Sequence, residues 1–174
     1  EPDLTLAHRL DAETSGVLLM GRHTWAARKI QTAFQRGRVQ KRYLAVVHGA
    51  PPEDEFTTDT PLGAVSADKF VFRQGPGAED AREARTELRV LWRGARVSLL
   101  EATLLTGRRH QIRAHLALAG FPVVGDKLYG MDDRTYRRYL RQGGLDDDML
   151  TKLGGARSLL HSHRLALPHP RDHE

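Results

Sequence analysis

Three stretches of alternating apolar and polar residues limit what this 174-residue chain can build. Over 39–48, Tyr43, Ala45 and Val47 fall on one face of an extended segment and Leu44 and Val46 on the other, which predicts a strand. Two more strands are predicted over 86–92 and 96–105, joined by Arg93-Gly94-Ala95 as a hairpin connection. Helical spacing interrupts them twice. Over 24–36, Thr24 stands ready to cap, Ala26, Ile30, Ala33 and Phe34 share a face, and Gly37 ends the run. Over 109–119, Ile112, Leu116 and Ala119 share a face and Gly120 supplies the stop. Hairpins mixed with helices predict an α+β fold. We expect one domain over residues 1–174, with a central mixed, mostly antiparallel sheet flanked by helices and loops and a cleft across it.

The remaining segments are connections. Gly49, Pro51, Pro52, Pro61 and Gly63 predict a loop over 49–63, a Gly-Pro-Gly break lies within 74–78, and short strand pieces are expected around 69–73. Residues 131–157 are polar, with a basic run over 134–141 ahead of Asp146-Asp147-Asp148, and read as a solvated helical insertion outside the core.

Composition removes several classes of function. The chain has no cysteine, which excludes disulfide scaffolds, thiolate metal sites and cysteine nucleophiles. No apolar run approaches the roughly 20 residues of a membrane span. The acidic opening Glu1-Pro2-Asp3 is unlike a signal peptide, so the cytoplasm is the expected compartment. Monomeric action is the default expectation. The formal charge is +5 with a pI near 9.9, and 22 of the 27 basic residues are arginine. Arginine's planar fork suits phosphates and base stacking, although a solvated basic surface would have the same composition.

Groups capable of chemistry concentrate in two stretches, His8-Arg9-Leu10-Asp11-Ala12-Glu13-Thr14-Ser15-Gly16 and Thr106-Gly107-Arg108-Arg109-His110-Gln111-Ile112-Arg113-Ala114-His115. The turn formers after Asp11 would present its carboxylate ahead of a Val17-Leu18-Leu19-Met20 strand. Taken alone, this Asp fits an Asx turn better than a nucleophile. His110 and His115, five apart, fall on different helix faces and do not form a zinc helix, so no metal site is expected. His161 and His163 could share a strand face but have no neighbouring carboxylate. Ser15 lacks the Gly-Xaa-Ser-Xaa-Gly elbow of a serine hydrolase, and no phosphate-binding loop ends in Gly-Lys-Ser or Gly-Lys-Thr.

Taken together, these stretches resemble a known family. His8 to Gly16 is similar to the catalytic motif of the RluA-type pseudouridine synthases. Lys41-Arg42-Tyr43-Leu44-Ala45-Val46-Val47-His48-Gly49, Gly107 to His115 continued by Gly120-Phe121-Pro122-Val123-Val124-Gly125-Asp126-Lys127-Leu128-Tyr129-Gly130, and Leu160-His161-Ser162-His163-Arg164-Leu165 with His169-Pro170 resemble its later motifs in order and spacing. The family's upstream strand, its Lys-Pro-Xaa-Gly turn and the S4 module of many members have no counterpart here, and the chain reads as an N-terminally incomplete catalytic domain.

The resemblance implies isomerisation of uridine to pseudouridine in ribosomal or transfer RNA, without metal or organic cofactor. Asp11 would attack the ribose C1′ or take the C2′ proton. Arg113 would be its basic partner and Tyr43 the tyrosine that stacks on the uracil. Arg9 would fill the gap left by a base drawn out of its stack. Ile112 and Leu160 would wall the pocket, and Arg108, Arg109 and His110 would meet the substrate. Arg36, Arg38, Lys41 and Arg42, with Arg108 and Arg109, would contact phosphates. Two other readings are a non-catalytic RNA-binding or assembly module, which does not need Asp11, and a metal-dependent nuclease or hydrolase built on Asp11, Asp126 and the histidines.

Overall fold

The computed structural model of the chain describes residues 4–65 and 72–171. Six of its strands form one sheet. In chain order the elements begin with β1 (Thr5–Leu6), β2 (Ser15–Gly16), β3 (Met20–Gly21), α1 (Thr24–Gln35), β4 (Gln40–His48), β5 (Glu55–Thr58), β6 (Gly63–Ala64) and β7 (Gln74–Gly75). They continue with β8 (Thr86–Arg93), β9 (Val97–Leu104), α2 (Gln111–Leu118), α3 (Asp133–Gln142), α4 (Asp147–Leu153) and β10 (Leu160–Ala166). The main sheet runs β2-β10-β4-β9-β8-β5 and is antiparallel except for the β2/β10 pair, while β1/β3 and β6/β7 are separate two-stranded pairs. This is the mixed, mostly antiparallel α+β architecture that the alternations predict.

The core lies where the predicted faces meet. Ala45 and Val47 of β4, Leu100 and Ala102 of β9 and Leu88 of β8 pack with Ile112 and Leu116 of α2, and Tyr43 lies against this cluster. Residues 96–105 and 86–92 are strands as expected, their hairpin closed by the Gly94 N–H donating to the Val97 carbonyl at 2.9 Å.

Four local expectations change. Thr24 does not cap α1: His23 is the extended residue before it, and Thr24 is the first helical residue. Ala27, not Ala26, is the fully buried alanine of that helix. The predicted loop over 49–63 contains β5, whose single apolar residue, Phe56, gives no alternation to read; pairing with β8 makes it a strand. Residues 17–19 are not a strand either. The Val17 N–H still donates to the Ser162 carbonyl of β10 at 2.9 Å; the chain then leaves β10, the Leu19 carbonyl accepts the Ala7 N–H at 3.2 Å, and Met20 pairs with β1.

The segment 131–157 is helical, as predicted, but not wholly solvated. Met149 and Leu153 of α4 are fully buried with Met131, and Tyr136, Tyr139 and Leu145 pack on them. Those apolar residues are scattered among charges, which hid a small core of their own. The strand expected around 69–73 falls mostly outside the described residues; Arg73 is described, and its guanidinium donates to the carbonyls of Leu128 and Met131 at 2.7 Å each. Among the described residues no helix is long and apolar enough to cross a membrane.

Candidate active site

Asp11 sits in a loop braced from both sides. Upstream, the His8 ring stacks on Phe34 with centroids 4.7 Å apart, and its Nε2 accepts the Leu19 N–H at 2.9 Å. Burial lowers the His8 pKa, which keeps that nitrogen free to accept. Downstream, the Thr14 N–H donates to the Asp11 carbonyl at 3.0 Å and closes a turn, and β2 then docks on β10. Gly16, at φ +116°, permits that docking, since a Cβ there would lie 2.2 Å from the Ser162 carbonyl oxygen.

Helix α2 brings Arg113 to the loop. Its first residue, Gln111, is buried and fully used: Oε1 accepts from Thr106 Oγ1 (2.8 Å) and the Arg108 N–H (2.9 Å), and Nε2 donates to Thr86 Oγ1 and the Arg85 carbonyl (3.0 Å each). One turn on, His115 is buried between Thr86 Oγ1 and the Thr60 carbonyl, each at 2.9 Å. With Gln111 and His115 tied to β8, its approach and Thr60, the first turn of α2 is fixed on both sides of Arg113, which projects a defined guanidinium. Nη1 donates to Asp11 Oδ2 at 2.9 Å; Nε and Nη2 donate to the two oxygens of Asp126 at 2.6 and 2.8 Å.

Asp126 is wholly buried, and its Oδ1 also accepts the N–H groups of Leu128 (3.0 Å) and Tyr129 (3.1 Å). Burial opposes the charge on Arg113, but the hydrogen bonds and charges of Asp126 and Asp11 outweigh it and raise its pKa. The Tyr129 ring lies under the guanidinium, 5.2 Å away, and burial pushes its hydroxyl up to about 12. His110 completes the group in a left-handed backbone conformation (φ 53°), with Nε2 4.0 Å from Asp11 and Nδ1 3.3 Å from the Tyr129 hydroxyl. Burial and the Arg113 charge lower its pKa to about 4, so the imidazole is neutral at ordinary pH. Tyr43, on the core face of β4, has its hydroxyl pushed up by burial and by the Asp11 carboxylate.

The structure therefore gathers Asp11, Arg113, His110 and Tyr43, residues 102 apart in the case of the ion pair. It does not gather all the other candidates. Arg9 is exposed and forms no ion pair among the described residues, and Arg36 and Arg38 are exposed beyond α1. Lys41 and Arg42 separate: Lys41 Nζ donates to the Thr106 carbonyl at 3.0 Å, whereas Arg42, on the opposite sheet face, lies 3.7 Å from Glu101. Arg108 is tied by Nε to the Glu83 carbonyl (2.8 Å), while Arg109 is exposed 5.9 Å from the Phe72 ring. Ile112 and Leu160 are buried in the main core beneath the site.

No three His, Asp or Glu side chains among the described residues converge as metal ligands. Asp11 and Asp126 do converge, but on the Arg113 cation. Beside them, Glu13 pairs with Lys127, which also donates to the Ala156 carbonyl at 2.7 Å, and accepts the Ser158 N–H at 3.3 Å. Sequence reasoning missed this part of the site. It considered Asp126 only as a metal ligand and gave no role to His8, Glu13, Lys127 or Tyr129. The signals were that His8 and Glu13 stand within the stretch His8 to Gly16, and Asp126, Lys127 and Tyr129 within Gly120 to Gly130.

Residues 1–118 match the sequence model of the RNA pseudouridylate synthase family. The chain belongs to this family. An uncharacterized RNA pseudouridine synthase of Chloroflexus aurantiacus is 40% identical over 166 residues, covering 95% of this chain and 46% of the relative. The ribosomal large subunit pseudouridine synthase C of Vibrio cholerae is 33% identical over 167 residues, 96% of this chain and 48% of that protein. Human RNA pseudouridylate synthase domain containing 1 superimposes with a TM-score of 0.80 at 30% identity, covering 98% of this chain and 66% of that one. The chain spans about half the length of the curated relatives it matches.

Proposed function

We propose that the chain isomerises uridine to pseudouridine in structured RNA, ribosomal or transfer, with Asp11 as the reacting carboxylate and no metal or organic cofactor. The observation that carries this reading is the Arg113 guanidinium, committed by two nitrogens to buried Asp126 and by the third to Asp11. A carboxylate that must stay ionised in a partly desolvated pocket needs such a partner. The family to which the chain belongs supplies the reaction, and the name of the Vibrio relative favours ribosomal RNA.

The chemistry is balanced within the substrate. The bond between uracil N1 and ribose C1′ breaks, the ring turns, a bond from C5 to C1′ forms, and the C5 proton leaves while N1 gains one. Asp11 either holds C1′ during the rotation or removes the C2′ proton, and both routes begin from the carboxylate. Tyr43 supplies a ring against which uracil stacks. Exposed Arg9, Arg36, Arg38 and Arg109 are the side chains left to meet phosphate or an emptied base position, so RNA affinity falls steeply as salt rises. Action as a cytoplasmic monomer belongs to the same reading.

RNA transcripts carrying tritium at uridine C5 test it. The chain releases label to water, and release persists in EDTA. Label retained on the RNA would overturn the isomerase reading, and loss of release in EDTA would overturn its cofactor-free part.

A further inference from the structure

We propose that Asp126 and Lys127 are positioning residues, neighbours in sequence that grip the two halves of the Asp11–Arg113 pair from one turn. The inference rests on Asp11 being the reacting carboxylate. Neither residue is hydrogen-bonded to Asp11. Asp126 takes two of the three donor nitrogens of Arg113, which leaves Nη1 aimed at Asp11. A guanidinium held at one point can pivot; one held at three cannot without breaking a buried ion pair. Lys127 reaches the other way, to Glu13, two residues beyond Asp11 on the same loop.

The turn that carries both is itself fixed. The Val124 N–H donates to the Val46 carbonyl and the Gly125 N–H to that of Leu153, at 2.9 and 2.8 Å. Gly125 has φ +77°, and a Cβ there would lie 1.8 Å from the Arg157 carbonyl oxygen, so the turn is wedged against the end of the helical insertion. Lys127 bonds the Ala156 carbonyl and Glu13 the Ser158 N–H, so the same strip of chain, 156–158, braces the Asp11 loop. A small displacement of either anchor is transmitted directly to the Asp11–Arg113 geometry, and reaction rates are steep in such displacements.

The test measures single-turnover tritium release and RNA affinity on a large-subunit ribosomal RNA transcript labelled at uridine C5, with the whole chain. Asp126→Asn is expected to slow release by on the order of 100-fold with affinity held within about twofold. Lys127→Met and Glu13→Gln each slow it by roughly tenfold at unchanged affinity, and the double variant is no slower than the slower single one, because the Glu13–Lys127 contact is lost in either. Thermal melting accompanies Asp126→Asn, and the partly exposed Glu13–Lys127 pair carries the test if that variant unfolds. Full rates in the single variants, additive losses in the double, or losses that track weakened RNA binding would overturn the inference. Asp11→Asn serves as the control. If it still releases label, the assignment of Asp11 as the reacting carboxylate fails, and the positioning role with it; if it is inactive while the other variants keep full rates, only the positioning role fails.

Discussion

Arg113 and Arg138 each lie between two aspartates, and the two clusters differ chiefly in their access to water. Arg138 of α3 is 3.2 Å from both Asp146 and Asp148, with 46% of its side chain exposed and 38% and 81% of theirs. Arg113 makes contacts of 2.6–2.9 Å with side-chain exposure of 13%, against 0% for Asp126 and 29% for Asp11. The same chemical groups do different work. At the surface, water competes for every charge and a pair contributes little. In the interior, each charge is tolerable only because the other is present, so the arrangement is rigid and costly to break.

Removing each arginine tests that contrast. Arg113→Ala strands the buried Asp126 carboxylate and should destabilise the fold by about 3–5 kcal/mol in denaturant unfolding. Its tritium release should fall far more than its RNA affinity. A proportional loss of binding would make Arg113 a phosphate contact instead. Arg138→Ala, at the other end of the scale, should cost under about 1 kcal/mol. Equal losses for the two would break the comparison.

His110 gives an effect between these. It faces Arg113, Arg109, Asp11, Asp126 and Tyr129, and its pKa is about 4 when folded against an ordinary 6.5. Between those values the unfolded chain binds a proton that the folded chain does not. The stability contributed by the neutral imidazole is therefore complete above about pH 6.5 and is lost as pH falls toward 4. His110→Asn, which suits the left-handed backbone, should flatten this part of the stability curve by roughly 2 kcal/mol. An unchanged acid slope would show that His110 does not carry the effect.

What could be read from the sequence follows the same division. The alternation in β4, β8 and β9 and the spacing of Ile112 and Leu116 placed most of the sheet and the helix that packs on it, because those patterns are local records of burial. Asp11, Tyr43 and Arg113 were legible through motif resemblance alone; by local pattern, Asp11 was a turn residue. The clamp was not legible, since nothing local to Asp126 or Lys127 says that one will meet Arg113, 13 positions back, and the other Glu13, 114 back. Lys41 and Arg42 show the converse. Adjacent in sequence, they read as one basic patch, yet strand alternation sends them to opposite faces.

On the proposed function, Asp11 performs the isomerisation and Arg113 keeps it poised. The most direct measurement is tritium release from C5-labelled uridine RNA by Asp11→Asn, a near-isosteric change, beside the unaltered chain and at matched RNA occupancy. Release should drop to the enzyme-free background while RNA binding and thermal stability stay close to those of the unaltered chain. Undiminished release from Asp11→Asn would show that another group carries out the reaction.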